Sequence, residues 1–431
     1  MLYEIYEEEV MNKLILNVII VSCCLALPTW ESIGPYSGGP MGDIAFAPSN
    51  ENIVYTLTKH PTWSYLPPRV FKSTNSGNNW SQMGILSDSL NGYSLAIDPT
   101  NPNILYVGSK RRIMKSTDAG ATWSEHMVSE DTIPAIAVNP SSSLTIYGVG
   151  KQGGLGFFKS TDGGITWAAD TVETLGVAYC LSIAPSNHNI IYIGGRCGGG
   201  PAKRRARVYK SLDGGETWTN VSSNVGDTLN NVRIAWSIAV HETIPDLVYL
   251  GSNRSIWCTA DGGGAWTEIF ACSAVVYDIV TTADNPSTMY ASIGRFIYKS
   301  TDAGTTWAMS DTAYYPTWNY ALAAKNSDES FVYAVNDEWN SEGIFRSTDG
   351  GMSWDTTTTG MAMDRIFCCS AAKTAPSNMF IQRHHVGVCK TTDYGSSWIP
   401  VEDFTNACLN LCDFAFYNTS EDTVLTLEGD G

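Results

Sequence analysis

The sequence predicts an all-β chain, a β-propeller of four-stranded antiparallel blades, and three observations carry the prediction. An eight-residue phrase returns along the chain at a period of about 45 residues, a spacing at which self-similarity signals propellers or solenoids. Between its copies lie short apolar runs separated by turn residues, enough for four strands per unit. With 431 residues, 43 % apolar and 11 % aromatic, the chain can bury one large shared core, as repeated units do.

The phrase stands in full at Ser160-Thr-Asp162-Gly-Gly164-Ile-Thr-Trp167. Its other copies begin at Ser73, Ser116, Ser211, Thr259, Ser300, Ser347 and Thr391, and end on Trp80, Trp123, Trp218, Trp266, Trp307, Trp354 and Trp398. An Asp-Gly-Gly or Asp-Ala-Gly core between two β-type runs predicts a hairpin turn. The carboxylate bonds turn amides, the second glycine takes a positive φ, and the tryptophan enters the returning strand. The carboxylates Asp118, Asp162, Asp213, Asp261, Asp302, Asp349 and Asp393 recur in every unit but the first, where Asn75 replaces them. Such recurrence predicts a structural role, not catalysis or metal binding.

Each unit carries three further pieces. They are a strand ending in a turn (Ser94-Leu-Ala-Ile-Asp-Pro99), a second strand (Ile104-Leu-Tyr-Val-Gly108) and a third running into the phrase (Arg112-Ile-Met-Lys115). With the strand after the tryptophan these make strands A to D. Eight complete units are expected from about Gly42 to Val401. Thr29–Gly34 reads as a lone D strand before them, and Asp413–Tyr417 with Thr423–Leu427 as the A and B strands of a partial ninth after them. Either the ends meet in an incomplete closing blade, or the chain is cut from a longer protein; the second reading is favoured.

Residues 1–27 are set apart from the propeller, 28–431, as an N-terminal extension and signal peptide. Met11-Asn-Lys followed by the apolar run to Leu27 fits an export signal and is too brief to span a bilayer comfortably. Ile20-Val-Ser-Cys23 resembles a lipoprotein processing site, which would leave a lipid anchor at Cys23; cleavage after Ala26 is the alternative. The mature chain is then secreted, periplasmic or at the cell surface, with no membrane span. Nine cysteines follow the signal, an odd number without metal-type spacing, so buried thiols are expected for most. A net charge of −17 argues against nucleic acid or an anionic membrane as partner. His384-His385 has no third ligand nearby, so no metal or cofactor is assigned.

Strand alternation places the A–B and C–D turns on one face and the B–C and D–A loops on the other. All length variation falls on the second face, in the loops of Trp63 and Tyr65, of Arg196–Arg207, and of Asp337 and Trp339. At the start of the A strands one position holds Tyr93, Tyr179, Trp236, Tyr277 and Tyr320. Two readings are open for these rings: inter-blade packing, or an aromatic platform for a sugar or peptide, joined by Trp63, Trp318 and Trp339. One residue later a second register holds Asp43, Asp278 and Asp413, candidates for paired acid–base work at a glycosidic bond. The basic cluster Lys203, Arg204, Arg205 and Arg207 reads as a solvated loop or as an anion site.

The phrase resembles that of the Asp-box (BNR) families, Ser-x-Asp-x-Gly-x-x-Trp, departing only at Asn75, Thr259 and Thr391. That resemblance implies a propeller but spans several functions: sialidases, family seventy-four xyloglucanases, sortilin-type receptors and photosystem assembly factors. Sialidases are expected to carry a Phe/Tyr-Arg-Ile-Pro motif, whereas Arg365-Ile366 is followed by Phe367. The xyloglucanases carry a catalytic aspartate after the first B strand, where this chain reads Leu57-Thr-Lys59-His60. Their second carboxylate belongs to a second propeller, which this chain is expected to lack. Trp30-Glu-Ser-Ile-Gly-Pro35 and the regular phrases look more like sortilin-related exported repeat proteins. The expectation is therefore an exported propeller, without assigned catalytic residues, that binds a glycan or protein on the face opposite the recurrent turns. The alternatives are a xyloglucanase- or sialidase-like glycoside hydrolase and an assembly factor for a membrane complex.

Overall fold

The computed structural model describes residues 41–58, 68–86, 92–150, 156–170, 172, 176–197, 205–222, 234–310, 319–336 and 344–356, and strands at 366–371, 379–383, 387–391, 399–400, 411–416 and 424–428. They fall into two compact units, one within Tyr36–Asp364 and one whose described strands lie in Arg365–Gly431.

The larger unit is a run of sheets, each formed by strands consecutive in sequence and paired antiparallel. Blade 1 is β1 (Met41–Ala47), β2 (Asn50–Thr58), β3 (Arg69–Ser73) and β4 (Ser81–Ile85). Blade 2 is β5 (Gly92–Ile97), β6 (Leu105–Ser116) and β7 (Ser124–Thr132). Blade 3 is β8 (Ala135–Asn139), β9 (Ser142–Val149), β10 (Phe157–Ser160) and β11 (Ala168–Asp170). Blade 4 is β12 (Val177–Ile183), β13 (Ile191–Arg196), β14 (Ala206–Ser211) and β15 (Thr219–Asn220). Blade 5 is β16 (Ala235–Val240), β17 (Val248–Ser252), β18 (Ser255–Thr259) and β19 (Thr267–Ala271). Blade 6 is β20 (Val276–Thr281), β21 (Met289–Ile293), β22 (Phe296–Ser300) and β23 (Ala308–Met309). Blade 7 is β24 (Asn319–Lys325), β25 (Asp328–Asn336), β26 (Ile344–Ser347) and β27 (Asp355–Thr356). In blade 2 the expected B and C strands run as one span, β6, which pairs with β5 through its first half and with β7 through its second.

The first strand of each blade lies beside the first strand of the next, from β1 through β5, β8, β12, β16 and β20 to β24, and β24 returns beside β1. The ring therefore closes with seven blades, not with eight and a partial ninth. The repeat ending at Trp398 belongs instead to the second unit, as the sheet β28 (Ile366–Ala371), β29 (Met379–Arg383), β30 (Gly387–Thr391) and β31 (Ile399–Pro400). The expected ninth A and B strands pair there as β32 (Leu411–Phe416) and β33 (Val424–Glu428). Locally these copies match the others; closure is decided by long-range packing, which the period cannot report.

That closure uses the same parts as every other seam. Ile44, Val54, Phe71 and Trp80 of blade 1 pack with Ala323, Tyr333, Val335 and Ile344 of blade 7. Across it, Arg346 donates to the Ser76 carbonyl at 2.9 Å and to Asn78 Oδ1 at 2.7 Å, and Glu51 accepts from the Asn326 amide at 2.9 Å. The core thus sits between blades. The second strands, sandwiched on both faces, read as continuous apolar runs, with every residue of β17 and β21 buried. The outermost strands, such as β15 and β23, are exposed.

Candidate functional site

The recurrent turn is closed upon itself. Ser160 Oγ donates to Asp162 Oδ1 and accepts from the Gly164 amide, both at 2.8 Å, and Asp162 Oδ1 accepts from the Thr166 amide at 2.9 Å. Gly163 and Gly164 take φ of 76° and 84°, the left-handed region glycine favours. The serine- or threonine-to-Asp or Asn hydrogen bond recurs in all seven blades. Hydrogen bonds to these carboxylates, above all from Thr122 and Thr217, hold Asp118 and Asp213 down at about 2. The tryptophan sits one residue before the returning strand, not within it, and Trp80 and Trp266 are buried between blades.

A signal missing from the sequence reading explains why the turns matter beyond their own blades. Every second strand of the seven-bladed ring carries a buried tyrosine at one position: Tyr55, Tyr106, Tyr147, Tyr192, Tyr249, Tyr290 and Tyr333. Tyr106 OH donates to the Gly163 carbonyl at 3.1 Å and Tyr249 OH to the Ala303 carbonyl at 2.9 Å, each in the next blade's recurrent turn. Lys115, Lys159 and Lys299 reach Gly163, Gly214 and Gly350 carbonyls in the same way, at 2.6, 2.8 and 2.9 Å. The turn carboxylates are thus engaged within the turns, and the turns dock neighbouring blades.

The opposite face starts from a β-bulge. In six of the seven first strands the register slips near the beginning, leaving Gly42, Tyr93, Tyr179, Trp236, Tyr277 and Tyr320 as the extra residue. A bulge re-aims a side chain. Tyr179 and Trp236 bring their ring centroids to 4.9 Å at 52°, and Trp236 and Tyr277 to 6.2 Å at 57°. Three rings from blades 4, 5 and 6 thereby form a continuous arc on the innermost strands. Arg196 Nε donates to Tyr179 OH at 3.2 Å. Trp236 Nε1 is shielded and has no hydrogen-bond partner among the described residues. Tyr93 is half-buried at the same position of blade 2. The Tyr320 side chain, and Trp63, Tyr65, Trp318, Asp337, Trp339 and Asp393, lie outside the described residues, as do Lys203, Arg204, His384, His385 and the leader with Cys23.

The residue after each bulge turns sideways into the seam. Asp43 Oδ2 accepts from the Leu95 amide of blade 2 at 2.8 Å, and Asp278 Oδ2 from the Leu322 amide of blade 7 at 2.9 Å. Their other oxygens accept from the following amides, Ile44 at 2.8 Å and Ile279 at 2.9 Å. Both carboxylates are engaged by backbone, which sets them as seam clasps and not as an acid–base pair; the Asp413 side chain lies outside the described residues. Burial, with Asp43 adding a like charge, lifts Asp278 to about 7. In blades 4 and 5 the same place holds Cys180 and Ser237, whose side chains lie against Gly194 and Gly251: a Cβ on either glycine would come within 2.5 or 2.2 Å.

Cys180, Cys258 and Cys272 are free thiols. Among the described residues no group of three or more His, Cys, Asp or Glu could hold a metal ion, and no helix is long and apolar enough to cross a membrane. Arg207 lies on β14, with a guanidinium nitrogen donating to the Ala206 carbonyl at 3.1 Å.

Comparison with known proteins places these features. The chain is similar to a xyloglucanase of Hypocrea jecorina, 23 % identical over an alignment that covers 76 % of this chain and 49 % of the relative. It is also similar to a xyloglucanase of Acetivibrio thermocellus, 25 % identical over 61 % of this chain and 32 % of the relative. The chain therefore spans half or less of the length of these relatives. Among solved structures it resembles the GH74 xyloglucanase from Xanthomonas campestris, with a TM-score of 0.60 at 15 % identity over 86 % of this chain and 68 % of that one. It also resembles YCF48 from Cyanidioschyzon merolae, with a TM-score of 0.53 at 13 % identity over 74 % and 98 %. These likenesses show the propeller fold and a relation to the GH74 xyloglucanases. Residues 49–269, about half of the chain, match the DUF6242 beta propeller domain, and the chain belongs to that family.

Proposed function

We propose that the protein is an exported glycan-binding propeller that takes a β-glucan-type chain on the face opposite its recurrent turns. The observation that carries this reading is the arc Tyr179–Trp236–Tyr277, set by bulges at the mouth of the innermost strands. Flat rings suit the C–H faces of pyranoses. Names of relatives support the ligand class, since the curated relatives are xyloglucanases. The loops of Trp63, Tyr65, Trp318, Asp337 and Trp339 and the ring of Tyr320 extend the platform in this proposal. Export, with release after Ala26 or a lipid anchor at Cys23, is part of the same reading.

Binding without hydrolysis is favoured because Asp43 and Asp278, the candidate acid–base pair of the innermost strands, are taken up by backbone amides. A glycan array run beside a reducing-end assay on xyloglucan tests the reading. Retention of β-glucans without release of reducing ends is expected. Release of reducing ends would turn the conclusion to a glycoside hydrolase, and a blank array would remove the glycan altogether.

A further inference from the structure

On the same face, between blades 5 and 6, a cavity of about 450 Å³ is lined by Phe270, Cys272, Ala274, Gly294, Phe296 and Tyr298. Its walls are fixed by backbone. Gly294, at φ 59°, opens the tight β21–β22 turn and donates its amide to the Val275 carbonyl at 2.9 Å. The Cys272 amide donates to the Arg254 carbonyl at 2.7 Å, and its thiol to the Ala274 carbonyl at 3.3 Å. Its aromatic side is built by Phe270, whose ring lies 5.4 Å from that of Tyr298 and 6.4 Å from that of Trp307. Phe296 and Arg295 are half-exposed at its rim and Ser273 is exposed.

This cleft is continuous with the arc through the chain itself. Ala274, in its wall, is three residues before Tyr277, and three residues span at most about 11 Å. The crossover from β19 to β20 runs inward from the outermost strand of blade 5 to the innermost strand of blade 6, and so links the cleft to the Tyr277 end of the arc.

We propose that the cleft is a second subsite for the same ligand, so that the glycan lies radially, from the arc outward between blades 5 and 6. The inference rests on the reading above and adds to it the path of the bound chain and a second place where the chain is held. Rings at two places, joined by a crossover of main chain, suit a repeating chain with an apolar face on successive units.

The experiment is calorimetric titration of the protein with a ladder of β-1,4-linked gluco-oligosaccharides, from dimer to hexamer, alongside Trp236→Ala, Phe296→Ala and Ser273→Trp. The cleft predicts affinity that climbs with length. Phe296→Ala, or blocking by Ser273→Trp, should flatten the climb by roughly three- to tenfold at the long end while sparing the shortest binder. Trp236→Ala should weaken every length. Length-independent binding that still depends on Trp236 overturns the cleft and leaves the arc standing. Binding of no oligosaccharide at all overturns both. Ser273→Trp keeps the test open should Phe296→Ala prove unstable.

Discussion

The two faces of the ring are built from the same strands and use side chains in opposite ways. On the turn face, chemistry is consumed by architecture. Each serine or threonine, each aspartate or Asn75, and several tyrosines and lysines end on a partner within the turn or in the next blade. On the loop face, six bulges lift one residue per blade out of register, and three of those residues meet as rings. A carboxylate in all but one unit, engaged within its own turn, therefore argues for scaffold, whereas rings that meet one another across three neighbouring blades argue for a ligand.

The largest expected effect breaks the turn face. Trp266, 5 % exposed in the seam between blades 4 and 5, should cost on the order of 3–5 kcal/mol when changed to alanine. Denaturant unfolding checks it, and glycan affinity of the folded fraction should stay unchanged. A smaller loss is expected from Ser160→Ala, which deprives the Gly164 amide of its buried acceptor, about 1–3 kcal/mol. Should Ser160→Ala abolish binding with normal stability, the division of labour between faces is wrong.

A third prediction separates the carboxylates by the sign of their pH dependence. Asp118 and Asp213, held at about 2 against an ordinary 3.8, favour the fold above about 3.8 and lose that contribution as pH falls toward 2. Asp278, lifted to about 7, runs the other way: its protonated form favours the fold, most fully below 3.8, and that contribution is lost as pH rises through about 7. Urea midpoints measured against pH should therefore decline between pH 4 and 7, and Asp278→Asn should flatten that decline while leaving the acid limb in place. An unchanged slope in the variant would place the buried titration elsewhere.

Much of this was legible in the sequence because it is local. Ser160, Asp162, Gly164 and Trp167 act within eight residues, so the turn and its flanking strands could be read directly. The tyrosines of the second strands were equally legible, recurring in Asn-Ile-Val-Tyr55, Ile-Leu-Tyr106 and Leu-Val-Tyr249, but their partners lie a whole blade away. Blade number was not legible. The copy ending at Trp398 matches the one ending at Trp354, and what stops the ring at seven is the packing of Phe71 and Trp80 against Tyr333, more than 250 residues apart. The bulge leaves only an indirect trace in the sequence. Aromatics at Tyr277 and its equivalents, followed one position later by Asp278, looked like two registers of one surface. The bulge sends the first toward its neighbours around the ring and the second into the seam.

The central claim is that the loop-face arc, not the turn face, holds the ligand. Affinity electrophoresis in xyloglucan gels, with melting temperatures taken in parallel, compares the unaltered protein with Trp236→Ala and Trp266→Ala. The account predicts that Trp236→Ala migrates unretarded at a near-normal melting temperature, while Trp266→Ala melts earlier yet is retarded as fully as the unaltered protein. Full retardation of Trp236→Ala, or loss of retardation in a stably folded Trp266→Ala, would contradict it.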